Sequence, residues 1–201
     1  FKTKFSGVDY ADFKVPTSEV NYLNTKIPIY NNRMKNTAGD EYSVYLQGGY
    51  VSDSFQSILS VSNLKSKIGF FAGAHGIPSV GAVTDDGNYR DVGFPYQTVN
   101  HFKVTSSNKW KKPHSEWNAI FSFQQNHRQE WSLFHSHYSN QQAPSVNPNL
   151  ELDFVLNTLD SQANYSFETG LDHETTFGFQ QNYQQNNVSG YSYLLPEYNR
   201  N

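Results

Sequence analysis

The sequence contains no cysteine among its 201 residues. This absence excludes a disulfide-bonded scaffold, a catalytic thiol and any cysteine-ligated zinc or iron–sulfur site. Long apolar runs are missing too, because nothing approaches the roughly eighteen consecutive apolar residues of a membrane-spanning helix. The chain opens with FKTKFSGVDY, without an initiator methionine or the apolar segment of a secretion signal. We therefore expect either a processed chain or an excised segment of a longer one.

Charged residues are few, at 16% of the chain, and the formal net charge is −3. The basic residues are scattered, so no nucleic-acid-binding surface is indicated. Catalytic motifs are absent as well: there is no G-x-S-x-G, no phosphate-binding P-loop and no H-E-x-x-H. We therefore expect a protein that is not an enzyme.

Aromatic residues are abundant, with 14 Tyr, 15 Phe and 3 Trp in a chain that is only 36% hydrophobic. Low hydrophobicity by itself favours disorder, but disordered chains contain few aromatic residues. A β-barrel with a lipid-facing apolar side and a polar lumen averages to this composition.

The clearest pattern lies between Tyr96 and Trp131, where two long extended segments flank a tight polar turn at 111–113. Side chains of the second segment alternate, which predicts a β-strand with one apolar and one polar face. The apolar set is Trp117, Ala119, Phe121 and Phe123; the polar set is Asn118, Ser122 and Gln124, with Ile120 as the exception. At about fifteen residues, each segment is much longer than an ordinary globular strand.

Short and long connections alternate along the whole chain. Short turns are predicted near 52–54, 111–113 and 168–172, and long loops at 6–40, 72–95, 133–149 and 189–201. Outer-membrane barrels have short periplasmic turns and long extracellular loops in this order. We therefore predict that 1–201 is one region of an antiparallel transmembrane β-barrel. About seven strands are apparent, and an odd number favours a segment of a larger barrel over a closed small one.

Aromatic residues are also expected to form girdles at the two membrane interfaces. Trp110 and Trp117 flank the turn at 111–113, where one girdle is predicted. A second group lies at the opposite ends of the strands: Phe70, Phe71, Phe94, Tyr96 and Trp131.

Five segments carry a resemblance to a known family. They are NNRMKNTAGDEYSVYLQGGYVSDSFQSILSVSN, GFFAGAHGIP, FPYQTVNHFKV, FQQNHRQEWS and FGFQQNYQQNNVSGYSYLLPEY. They resemble strands and loops of TonB-dependent outer-membrane receptors, with most similarity to the Bacteroidetes members. The likeness spans almost the whole chain as a general strand-and-loop pattern.

This resemblance implies a 22-stranded barrel in the bacterial outer membrane with an N-terminal plug domain. Such receptors import scarce nutrients, such as iron chelates, haem, cobalamin or glycans, and are energised by a TonB-type coupling partner. The implied partners are therefore outer-membrane lipid, a small-molecule or glycan ligand, the plug domain and the coupler. The plug and the short box that engages the coupler are not found in this sequence.

Two groups of residues are candidate sites in the predicted outer loops. His135 and His137 lie at i and i+2 of an extended stretch beside Tyr138, a pattern that can ligate a metal or a haem iron. His75 can join them if the loops converge. Iron or haem would then be cargo rather than a resident cofactor.

The second group is an oxygen-rich run that resembles the start of a calcium loop: Asp85, Asp86, Asn88 and Asp91. Calcium prefers carboxylate and carbonyl oxygens, although Asp-Gly turns at hairpin tips have the same composition.

A soluble alternative fits the same alternation. A secreted all-β carbohydrate-binding module would stack its aromatic residues on sugars, and its apolar strand faces would pack against a second sheet about 10 Å away.

Overall fold

The computed structural model describes residues 1–22, 24–72, 79–170, 172–192 and 196–200. Strand makes up 65% of the chain and helix 4%, so the all-β prediction is confirmed. These ranges contain ten strands: β1 (Lys2–Tyr10), β2 (Glu19–Tyr22), β3 (Thr25–Pro28), β4 (Gly39–Val51), β5 (Phe55–Gly69), β6 (Tyr96–Lys112), β7 (Ser115–Trp131), β8 (Leu150–Gly170), β9 (His173–Ser189) and β10 (Tyr198–Arg200). Helix is limited to a 3₁₀ turn at Tyr30–Asn32 and a short α1 at Val80–Val83.

Eight of the strands form one antiparallel sheet in the order β1-β4-β5-β6-β7-β8-β9-β10. Each strand therefore pairs with the next main strand along the chain, and the β2–β3 hairpin stands apart between β1 and β4. The predicted antiparallel arrangement is confirmed.

No helix in the ranges described is long and apolar enough to cross a membrane.

All short connections lie at one end of the sheet, here called the turn end: 52–54, 113–114 and 171–172. The long connections lie at the opposite end, here called the loop end: 11–38, 70–95, 132–149 and 190–197. This division places every candidate site residue that the structure describes at the loop end.

Several predicted connections span more residues than the observed ones. The loop predicted at 6–40 contains the second half of β1 and the β2–β3 hairpin, because residues 6–10 pair with β4 although they carry turn-forming side chains. The turn predicted at 168–172 is narrower, since β8 continues to Gly170. Backbone pairing extends these strands beyond the segments in which the apolar alternation is visible.

The sheet is open and has eight strands, which corrects the prediction of about seven; an open sheet does not test whether it is a segment of a larger barrel. Among the residues described, β1 pairs only with β4 and β10 only with β9, so the two edges do not meet. The additional strand, β10, has three residues, too few for a period of two to be recognised.

Among the residues described, no second large sheet packs on this one. Within the described ranges the other sheet is only the two-stranded β2–β3 hairpin, so the face-to-face packing of a soluble sandwich is not formed there. The buried apolar residues all lie at the loop end instead: Ile27, Ile29, Ala38, Val83, Leu150, Leu152 and Tyr191.

Asn36 joins two of the long connections to each other. Its side-chain amide donates to the carbonyls of Phe70 and Pro95, both at 2.8 Å, and its oxygen accepts from the Gly93 N–H at 2.7 Å. Its φ of 64° lies in the left-handed region that asparagine tolerates better than most residues. Connection 70–95 is therefore fastened to connection 11–38 through one buried side chain.

Nearby, the buried Asp12 carboxylate accepts the N–H groups of Thr37 and Ala38 at 2.7 and 2.9 Å. Burial raises the pKa of Asp12, and these backbone hydrogen bonds oppose the rise. The carboxylate thus fixes the chain just before β4 begins.

We predict that Asn36→Ala lowers the stability of the loop end by about 2–4 kcal/mol, because three hydrogen bonds are lost. The measurement is hydrogen exchange at the Gly93 amide. Asn140→Ala is the matched control, since Asn140 also has positive φ but is exposed. Equal effects of the two substitutions would show that backbone conformation, rather than the hydrogen bonds, matters at Asn36.

Candidate functional site

Two histidines and a glutamate converge where connection 132–149 joins β8. The Nε2 atoms of His137 and His135 lie 3.2 and 3.9 Å from the same oxygen, Glu151 Oε1. Among the residues described, this is the one group of three potential metal ligands, and its ligand atoms all lie within 4.8 Å of one another. The predicted histidine pair therefore acquires a carboxylate partner.

Local chain geometry explains this convergence. β7 ends at Trp131 with a register irregularity, and the Ser132 N–H then donates to the Asn149 carbonyl at 3.0 Å, which closes the base of the connection. The extended segment that follows places His135 and His137 on the same side, with ring centroids 4.6 Å apart. Glu151 is the second residue of β8 and points towards them.

Buried side chains hold the carboxylate in place. Ser132 Oγ donates to Glu151 Oε2 at 2.7 Å and lies 3.0 Å from the Tyr191 hydroxyl. Glu151 is only 5% exposed, and Ser132 and Tyr191 are buried as well. One carboxylate oxygen is thus engaged by a hydroxyl while the other faces the imidazoles.

Tyr191 closes the site on one side. Its ring lies 6.2 and 5.8 Å from the rings of His135 and His137 and makes an edge contact with Phe134. Burial raises the pKa of its hydroxyl, the Glu151 charge adds to the rise, and the Ser132 hydrogen bond opposes it. Tyr191 therefore stays neutral near pH 7 and can donate its proton to Ser132.

Gly190 brings Tyr191 against the start of β8. Its φ is +101°, and an added Cβ would lie 2.4 Å from the Glu151 carbonyl oxygen. This close approach allows the N–H groups of Tyr191 and Ser192 to donate to the carbonyls of Leu150 and Glu151 at 3.2 and 3.0 Å. Gln141 adds a further link, since its amide donates to the Tyr191 carbonyl at 2.9 Å.

The structure assembles only part of the predicted histidine site. Tyr138 is 56% exposed, and Tyr191 occupies the position beside the imidazoles that was expected for Tyr138. Tyr138 belongs to the exposed part of the same connection, where its carbonyl accepts from the Gln141 N–H. His75 lies outside the described residues.

The acidic run at 85–91 is organised by hydrogen bonds and ion pairs of its own. Asp85 Oδ1 and Asp86 Oδ1 accept the N–H groups two residues ahead, at Gly87 and Asn88. Asp86 also pairs with Lys35 at 2.7 Å, and this hydrogen bond lowers the pKa of Asp86.

The remaining oxygen atoms of this run point in different directions. Asp85 Oδ2 accepts from Asn31, and Asn88 Oδ1 accepts the Arg90 N–H. In the described ranges the carboxylates of Asp85, Asp86 and Asp91 do not form a three-ligand group. The arrangement does not favour the predicted calcium site at Asp85, Asp86, Asn88 and Asp91; it docks connection 70–95 on Lys35 instead.

Glu151, Ser132 and Tyr191 were not recognised from the sequence. Glu151 occupies one polar position in the alternating run LELDF, like any strand glutamate. Tyr191 is 59 residues from Ser132, so only the sheet topology brings them together. The proximity of Ser132 and Glu151 to the ends of the histidine-containing loop was the one available signal.

Comparisons of this chain with protein-family models, with curated proteins and with solved structures give no match.

We predict that Gly190→Ala separates Tyr191 from Glu151, because the new methyl group collides with the β8 backbone. Faster hydrogen exchange at Tyr191 and Ser192 would report this change. Gly87→Ala is the control, since Gly87 also has positive φ (81°) but no heavy atom within 4 Å of an added Cβ. The control should lose only the backbone cost of about 1–2 kcal/mol, and an equally small loss for Gly190→Ala would contradict the collision.

Proposed function

We propose that this chain is a segment of an outer-membrane β-barrel of the TonB-dependent receptor type, which takes part in the uptake of a scarce nutrient. The observation that carries the proposal is a belt of exposed and half-buried apolar side chains on one face of the sheet. We call these residues the apolar belt: Tyr50, Phe55, Leu59, Val61, Val104, Trp110, Trp117, Phe121, Phe123, Leu159, Tyr165, Phe177, Phe179 and Tyr183.

The strand register aligns the apolar belt in rows. Phe55, Trp110, Trp117, Tyr165 and Phe177 are successive cross-strand partners near the turn end, and Val61, Val104, Phe123, Leu159 and Tyr183 form a second row. Side chains of the belt such as Trp110, Phe121 and Phe177 are between 43% and 64% exposed. Aromatic and aliphatic groups this exposed favour contact with lipid.

The height of the belt also supports a bilayer. Rows that contain apolar side chains extend from Phe167 on β8 to the row of Phe102 on β6. Asn157 is the β8 residue of that last row, because Gln125 pairs with both Phe102 and Asn157. Ten residue steps along β8 correspond to about 34 Å. At the tilt of about 45° that membrane strands adopt, the belt would be about 24 Å tall, close to the ~25 Å of outer-membrane barrels.

On the same face the composition changes towards the loop end. Beyond the belt most positions on this face are polar and include Lys65, Lys67, Asn100, His127 and Asp153, with Val155 and Tyr42 as exceptions. His127 bonds Asp153 at 2.7 Å. The core of a soluble sandwich would continue to be apolar along the strand. Strands that leave the bilayer and continue into water fit this change.

In this proposal the aromatic girdle predicted around Tyr96 and Trp131 would lie too far from the other girdle to mark the second membrane interface. Tyr96 and Trp131 stack at the loop end with ring centroids 6.1 Å apart, but Tyr96 is fourteen residue steps from Trp110, about 48 Å along the strand. They would therefore lie in the outer aqueous region. Tyr183, Phe123 and Phe102 are better placed for the outer interface, and the Trp110–Trp117 row for the inner one.

The opposite face carries the polar residues expected of a lumen. Lys109 pairs with Glu116 at 2.7 Å, and Gln47 donates to Ser60 at 3.0 Å. Neighbouring positions on β8 and β9 continue the polar surface: Asp160, Gln162, Asn164, Gln180, Asn182 and Gln184. A water-filled interior accommodates these groups.

In this proposal the two unpaired sheet edges continue into further strands of a 22-stranded-type barrel. The loop end faces the outside and captures an iron chelate, haem, cobalamin or glycan, while a plug domain and a TonB-type coupler control passage. Nutrient uptake rests on the family resemblance together with the polar inner face.

Partition between buffer and detergent tests the bilayer proposal. We expect a β-rich species by circular dichroism that stays folded only in detergent micelles or lipid vesicles, because the belt needs an apolar solvent. A monodisperse β-rich protein in plain buffer would overturn the proposal and favour the alternative of a soluble carbohydrate-binding module.

A pair of neighbouring substitutions tests which face meets the lipid. Phe121→Arg places a charge in the belt and should cost about 2–4 kcal/mol of folding free energy in lipid vesicles. Ile120→Arg is the matched control: it removes an apolar residue from the same strand, but faces Ser107 and Gln162 on the polar side. The control should change folding by less than about 1 kcal/mol, and a reversed order would assign the lipid to the other face.

A further inference from the structure

We propose that His135, His137 and Glu151 form a binding site for a divalent first-row transition-metal ion of the zinc class. This inference goes beyond the proposed uptake function and does not depend on the bilayer. It rests on the positions of the three ligand atoms, on the side chains that orient them and on the burial of the carboxylate.

The ligand atoms are already near the spacing that a metal requires. Four ligands bound at about 2.1 Å in a tetrahedron are about 3.4 Å apart. The Nε2 atom of His137 lies 3.2 Å from Glu151 Oε1, and that of His135 lies 3.9 Å from it. All three ligand atoms lie within 4.8 Å of one another, so movement of the two loop imidazoles towards the carboxylate would complete the arrangement.

Neighbouring groups orient the ligands as they do in metalloproteins. Metal-bound histidine usually donates its second ring N–H to a carbonyl or carboxylate. Nδ1 of His135 lies 3.2 Å from the Leu133 carbonyl oxygen, which fixes the tautomer with its lone pair on Nε2. Ser132 Oγ donates a hydrogen bond to Glu151 Oε2, so Oε1 is the oxygen that faces the ion.

Charge balance favours a cation at this point. Burial of a carboxylate is costly unless an opposite charge compensates it, and Glu151 is almost fully buried. A divalent ion held between the carboxylate and the two imidazoles, whose ring centroids lie 4.6 Å apart, would supply that opposite charge.

The chemistry of the ligand set selects the metal class. Two imidazoles and one carboxylate suit zinc and its first-row neighbours, whereas magnesium and calcium prefer oxygen ligands alone. The side chains of His135 and His137 are about 40% and 36% exposed. An ion held there would keep one coordination position open to water or to an external ligand.

The test is titration of the purified, metal-free full chain with Zn²⁺ in competition with a chromophoric chelator. We expect one site whose affinity falls by more than about 100-fold in His137→Ala and in Glu151→Gln. Ser132→Ala should lose about 10–100-fold, since it removes an outer partner of a ligand. Glu151→Gln preserves the acceptor for Ser132, which guards against loss through misfolding.

His114 and Glu168 provide the matched control. They form a histidine–carboxylate pair at 2.6 Å at the turn end, with no third ligand close by in the ranges described. His114→Ala and Glu168→Gln should leave Zn²⁺ affinity within about twofold of the parent chain.

Cobalt provides an independent readout. Co²⁺ bound at the site should give visible absorption bands that His135→Ala abolishes and His114→Ala leaves intact. Unchanged Zn²⁺ affinity in the His137 and Glu151 variants, or no Zn²⁺ binding to the parent chain, would overturn the metal site. The three residues would then form only a hydrogen-bonded cluster. The bilayer proposal would survive either result, because detergent partition does not involve these residues.

Discussion

The register between neighbouring strands is the constraint on which the rest of this structure depends. A slip by one residue would move every side chain of a strand to the opposite face, and the rows of the apolar belt would disappear. From β4 to β9 the pairing continues without a register shift until the ends of β7 and β8. The backbone ladder, rather than a buried core, therefore organises the central part of the sheet.

The same register also determines which residues meet at the loop end. Because β7 and β8 are paired up to Trp131 and Leu150, the two ends of connection 132–149 are held next to each other. Glu151 is the residue of β8 left out of this pairing at the register irregularity, between the paired Leu150 and Leu152. The histidines belong to the connection, which is anchored by Ser132 and Gln141. The site therefore combines one ligand on a rigid strand with two on a loop, and a bound ion would restrict the loop rather than the strand.

How much could be predicted from the sequence depended on whether a feature was local. The alternation from Trp117 to Phe123 gave the strand and its two faces, since side-chain period is a property of consecutive residues. His135 and His137 were recognisable as a pair for the same reason. Tyr191 was not, because its place beside them is set by β9 returning along β8. The ion pair between Lys35 and Asp86 could not be predicted from the composition of the acidic run, because Lys35 lies in a different connection.

The burial pattern connects the two proposals. A protein in water normally buries its largest apolar side chains. Among the residues described, however, the buried apolar residues lie at the loop end and the belt aromatics are exposed or only half-buried. The loop end is thus the part that behaves like an ordinary aqueous domain, with Asp12, Asn36 and Glu151 buried and hydrogen-bonded. Polar chemistry, including metal binding, is concentrated where water would be the solvent. In the bilayer proposal the belt would lie in an apolar solvent, which would make its exposure favourable, and the change of solvent along the strands would account for both parts.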